Sequence, residues 1–200
     1  MNELKEIWEL AKGKRGIVYT ASYKGKKIAL KKKNPKSTAI ARIEIEAQFL
    51  KKLNEYGIGP KFIFFRDDEV GMEFIDGEKF ESYILGNDKK NILKVNEELF
   101  SQLYQMDKLG INKEEMHHPF KHIIVREDKP ILIDFERCHY TEKPKNVTQF
   151  VQYIMKLCEV LKEKGIAVDR DALMKKGSEY SKNMTMKAIK NIISSLQYQK

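Results

Sequence analysis

Lys121-His122-Ile123-Ile124-Val125-Arg126-Glu127-Asp128-Lys129-Pro130-Ile131-Leu132-Ile133-Asp134-Phe135-Glu136 reads as a β-hairpin that ends in an acid. Two short β-rich runs flank a polar turn, which is the hairpin pattern. The second run carries a carboxylate, Asp134, off the tip of an apolar Ile-Leu-Ile. A strand of that kind has no folding need for an acid, because a buried carboxylate without a partner costs free energy. A fixed negative charge at this place points to a metal ion or a proton.

The 200 residues suit one domain, or two small lobes, and 42% hydrophobic content is enough to bury a core. The longest apolar runs, such as Phe62-Ile63-Phe64-Phe65, are too short to cross a bilayer, so no membrane partner is expected. The first residues lack the layout of a signal peptide, and two cysteines, Cys138 and Cys158, make no disulfide framework. A reduced, cytoplasmic protein is the expectation. The chain carries 38 Lys+Arg against 29 Asp+Glu, a net charge of +9. A basic surface favours anionic partners: nucleotides, phosphoproteins or RNA. The same abundance of Lys, Glu and Ile also marks proteins from hot environments, where surface ion pairs cost less.

Upstream of the hairpin, residues 1–36 read as β-structure with tight turns. Ile17-Val18-Tyr19-Thr20 and Lys27-Ile28-Ala29-Leu30-Lys31 are strands, joined through the turn Tyr23-Lys24-Gly25-Lys26. Before them, Ala11-Lys12-Gly13-Lys14-Arg15-Gly16 is a glycine-containing loop whose backbone N–H groups can approach a phosphate. A helix follows, capped by Ser37 or Thr38 and closed by Tyr56-Gly57. Ile40, Ile43, Ala47, Leu50 and Leu53 form its apolar arc, and Glu46 falls inside that arc. A carboxylate on the buried face needs a cation. Two further strands, 61–65 and 70–75, lead to Asp76-Gly77, which reads as a hinge into a mostly helical half. There the spacing predicts a helix starting near Asn96, and a capping box at Asn146–Gln149 opening another helix that Gly165 stops. A helix over 172–180 and a last one burying Ile189, Ile192, Ile193 and Leu196 complete the chain.

This order of motifs resembles the protein-kinase fold. Ala11 to Val18 resembles the glycine loop G-x-G-x-x-G-x-V, with its first glycine replaced by Ala11. Ile28-Ala29-Leu30-Lys31 resembles the V-A-I-K strand, and Glu46 matches the helix glutamate that pairs with its lysine. Met72-Glu73-Phe74-Ile75 resembles the hinge that receives adenine, and Asp134-Phe135-Glu136 resembles the metal-binding Asp-Phe-Gly. The short C-terminal half is similar to the compact kinases of the RIO and Kae1-associated type, and most similar to small archaeal proteins described as serine/threonine kinases.

The resemblance implies an α+β, two-lobed fold: an antiparallel β N-lobe with one helix over 1–75 and a mostly helical C-lobe over 76–200. It implies ATP as substrate with Mg2+, or Mn2+, as the metal. Gly13, Gly16, Val18 and Ala29 would line the nucleotide with Lys31, whose partner would be Glu46. Met72, Glu73, Phe74 and Ile75 would hold adenine. Asp134 would bind the metal. Beside what the resemblance implies, His122 reads either as a further metal ligand, which Mn2+ accepts, or as a hydrogen-bonded loop residue, and Lys121 either approaches the γ-phosphate or is solvated. The chain departs from the family at H-R-D-x-x-x-x-N. Aligned on the hairpin, His122 takes the asparagine position, His117 the aspartate position and Glu115 the histidine position. Glu115, Glu114 or His117 then stands as the proton acceptor. Otherwise the chain hydrolyses ATP, or binds it without chemistry as a pseudokinase. A binding scaffold for RNA or a protein complex is the alternative, carried by Lys24, Lys26, Lys27, Lys32, Lys33 and Lys36.

Overall fold

The computed structural model describes residues 4–38 and 42–197. The chain divides into two compact units, Met1–Asp76 with Leu132–Cys138, and Gly77–Ile131 with His139–Lys200. The segment Leu132–Cys138, placed by sequence with residues 76–200, thus packs with the first unit. The reason is physical: Phe135 is 1% exposed and Glu136 is 7% exposed. The ring needs an apolar seat and the acid needs cations, and the first unit supplies both.

That unit is a five-stranded antiparallel sheet with one helix. Its strands are β1 (Leu4–Lys12), β2 (Gly16–Tyr23), β3 (Lys26–Lys33), β4 (Phe62–Arg66) and β5 (Glu69–Glu73), in the spatial order β1-β2-β3-β5-β4. The two tight hairpins turn through paired positive φ angles, 51° and 73° at Lys24 and Gly25, and 46° and 57° at Asp67 and Asp68. Such mirror-type turns match the right-handed twist of the flanking strands. Period-2 alternation then sorts the side chains of β3. Ile28 and Leu30 enter a core with Ala21, against Tyr19, Tyr23, Ile63 and Phe64. Burying each of the two contributes about 1.5–3 kcal/mol of transfer free energy. The opposite face is set by register: Val18 pairs with Lys31, and Ala29 pairs with Met72. Helix α1 (Arg42–Asn54) buries Ile43, Glu46, Ala47, Phe49, Leu50 and Leu53. The expected cap at Ser37 or Thr38 lies four or more residues before Arg42, and residues 39–41 are outside the described residues. Gly57, at φ 70°, closes the segment after the helix.

The second unit begins with β6 (Glu78–Lys79), α2 (Phe80–Gly86) and α3 (Lys89–Lys108). The helix expected near Asn96 starts at Lys89, where the Asp88 carboxylate caps it by accepting the Asn91 N–H at 2.9 Å. Asn96 is interior and 2% exposed; its side chain donates to the Ile92 carbonyl. The missed turns lie before Asn96, where the apolar positions Ile92, Leu93 and Val95 stand among Lys and Asn. Strand β7 (Ile111–Lys113) and a single 3-10 turn, Pro119–Lys121, precede the opening hairpin, β8 (Ile123–Arg126) and β9 (Lys129–Leu132). Its turn again has two positive φ angles, 51° at Glu127 and 57° at Asp128.

After β10 (Cys138–Tyr140) come α4 (Asn146–Lys156), α5 (Cys158–Glu163), α6 (Arg170–Asn183) and α7 (Met186–Gln197). The single helix expected between Asn146 and Gly165 is two, broken at Leu157. The capping box is also corrected. Asp107, on α3, accepts from the Asn146 and Val147 N–H groups and so caps α4 from outside. Gln149 turns away and accepts the Met116 N–H at 3.1 Å. Asp107 takes a further hydrogen bond from the Tyr180 hydroxyl at 2.8 Å. Burial pushes its carboxyl above the ordinary value, against the bonds from Tyr180 and Asn146. No helix among the described residues is long and apolar enough to cross a membrane.

Candidate active site

Lys31 sits at the centre of the first unit's charged cluster. Its ammonium donates to Glu46 at 2.5 Å and to Asp134 at 2.9 Å, and lies 3.0 Å from Glu136. Strand β3 aims it there because Lys31 alternates with the buried Leu30. Helix α1 supplies Glu46 from its inward arc. Asp134 follows β9 in the left-handed region, at φ 64°. Non-glycine residues reach that region at a cost and cluster where geometry serves function.

One ammonium therefore serves three carboxylates. Burial works against the charge on Lys31, but Glu46, Asp134 and Glu136 outweigh it and hold the ammonium pKa far above 10.5. Burial pushes Glu46 up, beyond the pull of Lys31, and Asp134 and Glu136 push it further. The two directions agree: the cation is over-satisfied and the acids share too little positive charge. One oxygen from each of Glu46, Asp134 and Glu136 lies within 4.8 Å of the others.

Two arginines reinforce the cluster. Arg15, on the turn between β1 and β2, lies 3.4 Å from Glu136, and Arg42, at the start of α1, donates to the Glu136 carbonyl at 3.2 Å. The Phe135 N–H faces Glu46 at 3.4 Å. A side chain at Gly59 would collide with the Phe135 ring at 2.8 Å, so that glycine, at φ 84°, makes the ring's seat. Gly16 approaches as closely: a Cβ there would lie 2.9 Å from the Lys31 Cε. The Gly13 N–H donates to the Gly16 carbonyl at 2.9 Å and shapes the turn.

Val18, Ala29, Lys31 and Met72 share one sheet face by register. Beyond β5, Ile75 is 8% exposed and Phe74 carries the Lys27 ammonium 3.9 Å above its ring. The Glu73 N–H donates to the Lys61 carbonyl at 2.8 Å, so its donor is committed within the unit.

The other expected residues belong to the second unit. His122 faces Lys113 through Nδ1 at 3.3 Å and Glu115 through Nε2 at 3.6 Å. The acids that converge with Asp134 are Glu46 and Glu136; His122, expected as a metal ligand, is not in that group. Glu115 holds a left-handed φ of 72°. His117 packs its ring against His118 at 4.9 Å, while His118 Nε2 lies 3.1 Å from the Lys156 ammonium. Pro119 opens the short 3-10 turn that separates His118 from His122. Lys121 lies 5.3 Å above the Phe120 ring, and Glu114 is 4.0 Å from His139.

Sequence reasoning did not single out Glu136, Arg15, Arg42 or Lys113. For Glu136 a signal existed: an acid stands where the related motif has glycine. Lys113, 2% exposed, had none, since a lysine beside two glutamates reads as surface.

Residues 9–173 match the family model described as the RIO domain. An uncharacterized protein of Methanocaldococcus jannaschii is 35% identical over 77 residues, 38% of this chain and 66% of that protein. The crystal structure of the Rio2 kinase from Chaetomium thermophilum superimposes with a TM-score of 0.59 at 14% identity, covering 97% of this chain and 72% of that one, which establishes the fold. With the family model spanning most of its length, the chain belongs to the RIO domain family and has a protein-kinase-like α+β fold.

Proposed function

We propose that the chain is an ATP-dependent phosphotransferase acting on serine or threonine hydroxyls of a protein substrate, with Mg2+ as its metal. The observation that carries this reading is Lys31, a buried ammonium held between Glu46 and Asp134 on the sheet face that also presents Val18, Ala29 and Met72. Lys31 would bind the α- and β-phosphates, and Glu46 would orient it. The glycine turn 13–16 would cover the phosphates with backbone N–H groups. Val18, Ala29 and Met72 would line the base, and Phe74 and Ile75 would meet its edge, since the Glu73 N–H already bonds Lys61.

The acids that converge on Asp134 among the described residues, Glu46 and Glu136, offer carboxylate oxygens, which suit a hard cation such as Mg2+, and Mn2+ accepts the same donors. Asp134, with the most exposed side chain of the three acids at 36%, would hold the metal. Such a metal, when bound, neutralises charge on the phosphates. Glu115 is the proposed proton acceptor for the substrate hydroxyl. Its neighbour His122 lies 3.6 Å away, and Lys113 on the far side of the ring fixes that imidazole. Positioning and charge neutralisation supply most phosphoryl-transfer catalysis, so a glutamate suffices for the base.

The test has two stages. ATP with Mg2+ should raise the melting temperature, and Lys31→Ala and Asp134→Ala should each abolish the rise. Phosphotransfer should then appear as autophosphorylation by mass spectrometry. ADP release without phosphoprotein would make the chain an ATPase; binding with neither product would make it a pseudokinase. No thermal shift at millimolar nucleotide sinks the proposal.

A further inference from the structure

Glu136 is a third acid on an ammonium that Glu46 and Asp134 already neutralise. It repels both of those acids, and its burial adds to the cost. Yet its two oxygens are used in a definite way: Oε2 lies 3.0 Å from the Lys31 ammonium, and Oε1 lies 3.4 Å from the Arg15 guanidinium. Arg15, whose side chain is 38% exposed, stands on a turn with a fixed backbone. The buried Asn34 braces its turn twice, donating from its backbone N–H to the Arg15 carbonyl and from its side chain to the Gly13 carbonyl, both at 2.8 Å. The turn also approaches Lys31 so closely that Gly16 has no room for a Cβ. A carboxylate bridging an ammonium and a guanidinium offers the same charged oxygens as a phosphate.

We propose that Arg15 and Lys31 form a two-cation clamp for the phosphates of the nucleotide, and that Glu136 occupies this clamp as an internal stand-in until nucleotide displaces it. Arg15 is then a binding residue, and Glu136 sets the affinity by competition. This rests on the nucleotide-binding reading above. Competition of this kind discriminates by phosphate count: register puts Arg15 beyond Lys31 from Ala29 and Met72, so the outer phosphates of a triphosphate reach both cations, whereas the one phosphate of AMP stays tethered at the base-lining end.

Calorimetric titration with ATP and with AMP, both with Mg2+, tests the proposal on the full chain. Glu136→Gln keeps the side chain's size and removes its charge. It should lower the Kd for ATP about fivefold or more, the weight of one charge-assisted contact, and leave AMP within about twofold. Arg15→Gln, on a half-exposed turn, should weaken ATP and leave AMP unchanged. In the double variant the gain from Glu136→Gln should shrink. Without nucleotide, trypsin should cut the Arg15–Gly16 bond faster in Glu136→Gln than in the wild type. A folded Glu136→Gln protein that binds ATP no better than the wild type overturns the proposal and makes Glu136 a metal or structural ligand. So does an Arg15→Gln protein with unchanged ATP affinity. Failure of every variant and of the wild type to bind ATP refutes the nucleotide-binding reading itself, while a tryptic response in that case shows the contact to be structural only.

Discussion

Replacing Lys31 by methionine removes the one cation that three acids share and leaves its length and apolar stem nearly intact. Glu46, at 1% exposure, is then left in a low-dielectric site beside Glu136. Two routes are open to the variant: bear the buried charge, or take up a proton. Protonation sets the upper limit. From an ordinary glutamate value of 4.5, holding one proton at pH 7 costs about 3.4 kcal/mol, at about 1.36 kcal/mol per pH unit. That agrees with the ~3–5 kcal/mol typical of breaking a buried pair by deleting one partner. For a chain of this size that corresponds to a drop in Tm of about 7–14 °C. The pH dependence has a definite sign. A carboxylate whose folded pKa is raised binds protons more tightly in the folded state, so stability is present below pH 4.5 and is lost as pH rises through the folded pKa. Lys31 contributes the other way in the wild type: its folded pKa lies above 10.5, so its stabilisation is complete below that pH and is lost only above it. Because Glu46 is already raised in the wild type, Lys31→Met should lose up to about 3.4 kcal/mol at pH 7 and up to about 1.4 kcal/mol at pH 5.5. The double variant Lys31→Met/Glu46→Leu should recover half or more of the loss at pH 7. Urea unfolding at the two pH values measures all three quantities. A variant within about 1 kcal/mol of the wild type at pH 7, or one whose deficit does not shrink toward pH 5.5, refutes the reasoning.

Other outcomes follow from single contacts. Gly16→Ala places a Cβ 2.9 Å from the Lys31 Cε, so it should abolish the ATP-induced thermal shift with a smaller loss of stability than Lys31→Met, as read by melting with and without ATP. Tyr180→Phe removes the hydroxyl donor to the buried Asp107 and should cost about 1.5–3 kcal/mol in urea unfolding, the range for a bond to a charged group; an unchanged midpoint would show that Asp107 is satisfied by Asn146 and Val147 alone. Glu115→Gln should slow autophosphorylation about 10²-fold or more while leaving the ATP thermal shift intact, whereas His117→Ala should leave both, and equal loss in the two would contradict the assignment of the base. If the lysines of the β2–β3 region dock RNA, affinity should fall steeply with salt, and binding insensitive to salt, or none, counts against that role.

Much of the fold could be read from local rules. Alternating apolar residues, turn residues suited to positive φ, and the helical arc around Leu50 each depend on neighbours within a few positions. The same rules failed where a partner came from far along the chain. Asn146 looked like its own helix cap, but Asp107 caps α4 from another helix and Asn146 serves Lys113 and Ile111. Asn96 looked like a helix start because a buried Asn satisfied by its own helix leaves no trace in composition.

The candidate site divides along the same line. Its inner pair was legible in the sequence: a lysine ending the apolar run Ile28-Ala29-Leu30, where the resembled strand motif has one, and a glutamate on a buried arc that required a cation. The acid at the end of the hairpin was legible too, because an apolar strand has no use for a charged tip. Only the tertiary structure decided which acids converge with Asp134. The sequence offered His122, twelve residues away, and the fold brought Glu46 from α1 and Glu136 from the next turn. It also decided that Arg15 faces Glu136 across 121 residues of chain. Periodicity reports which face a residue occupies, but the meeting of two faces depends on strand register and on the seat of one ring, Phe135, against Gly59.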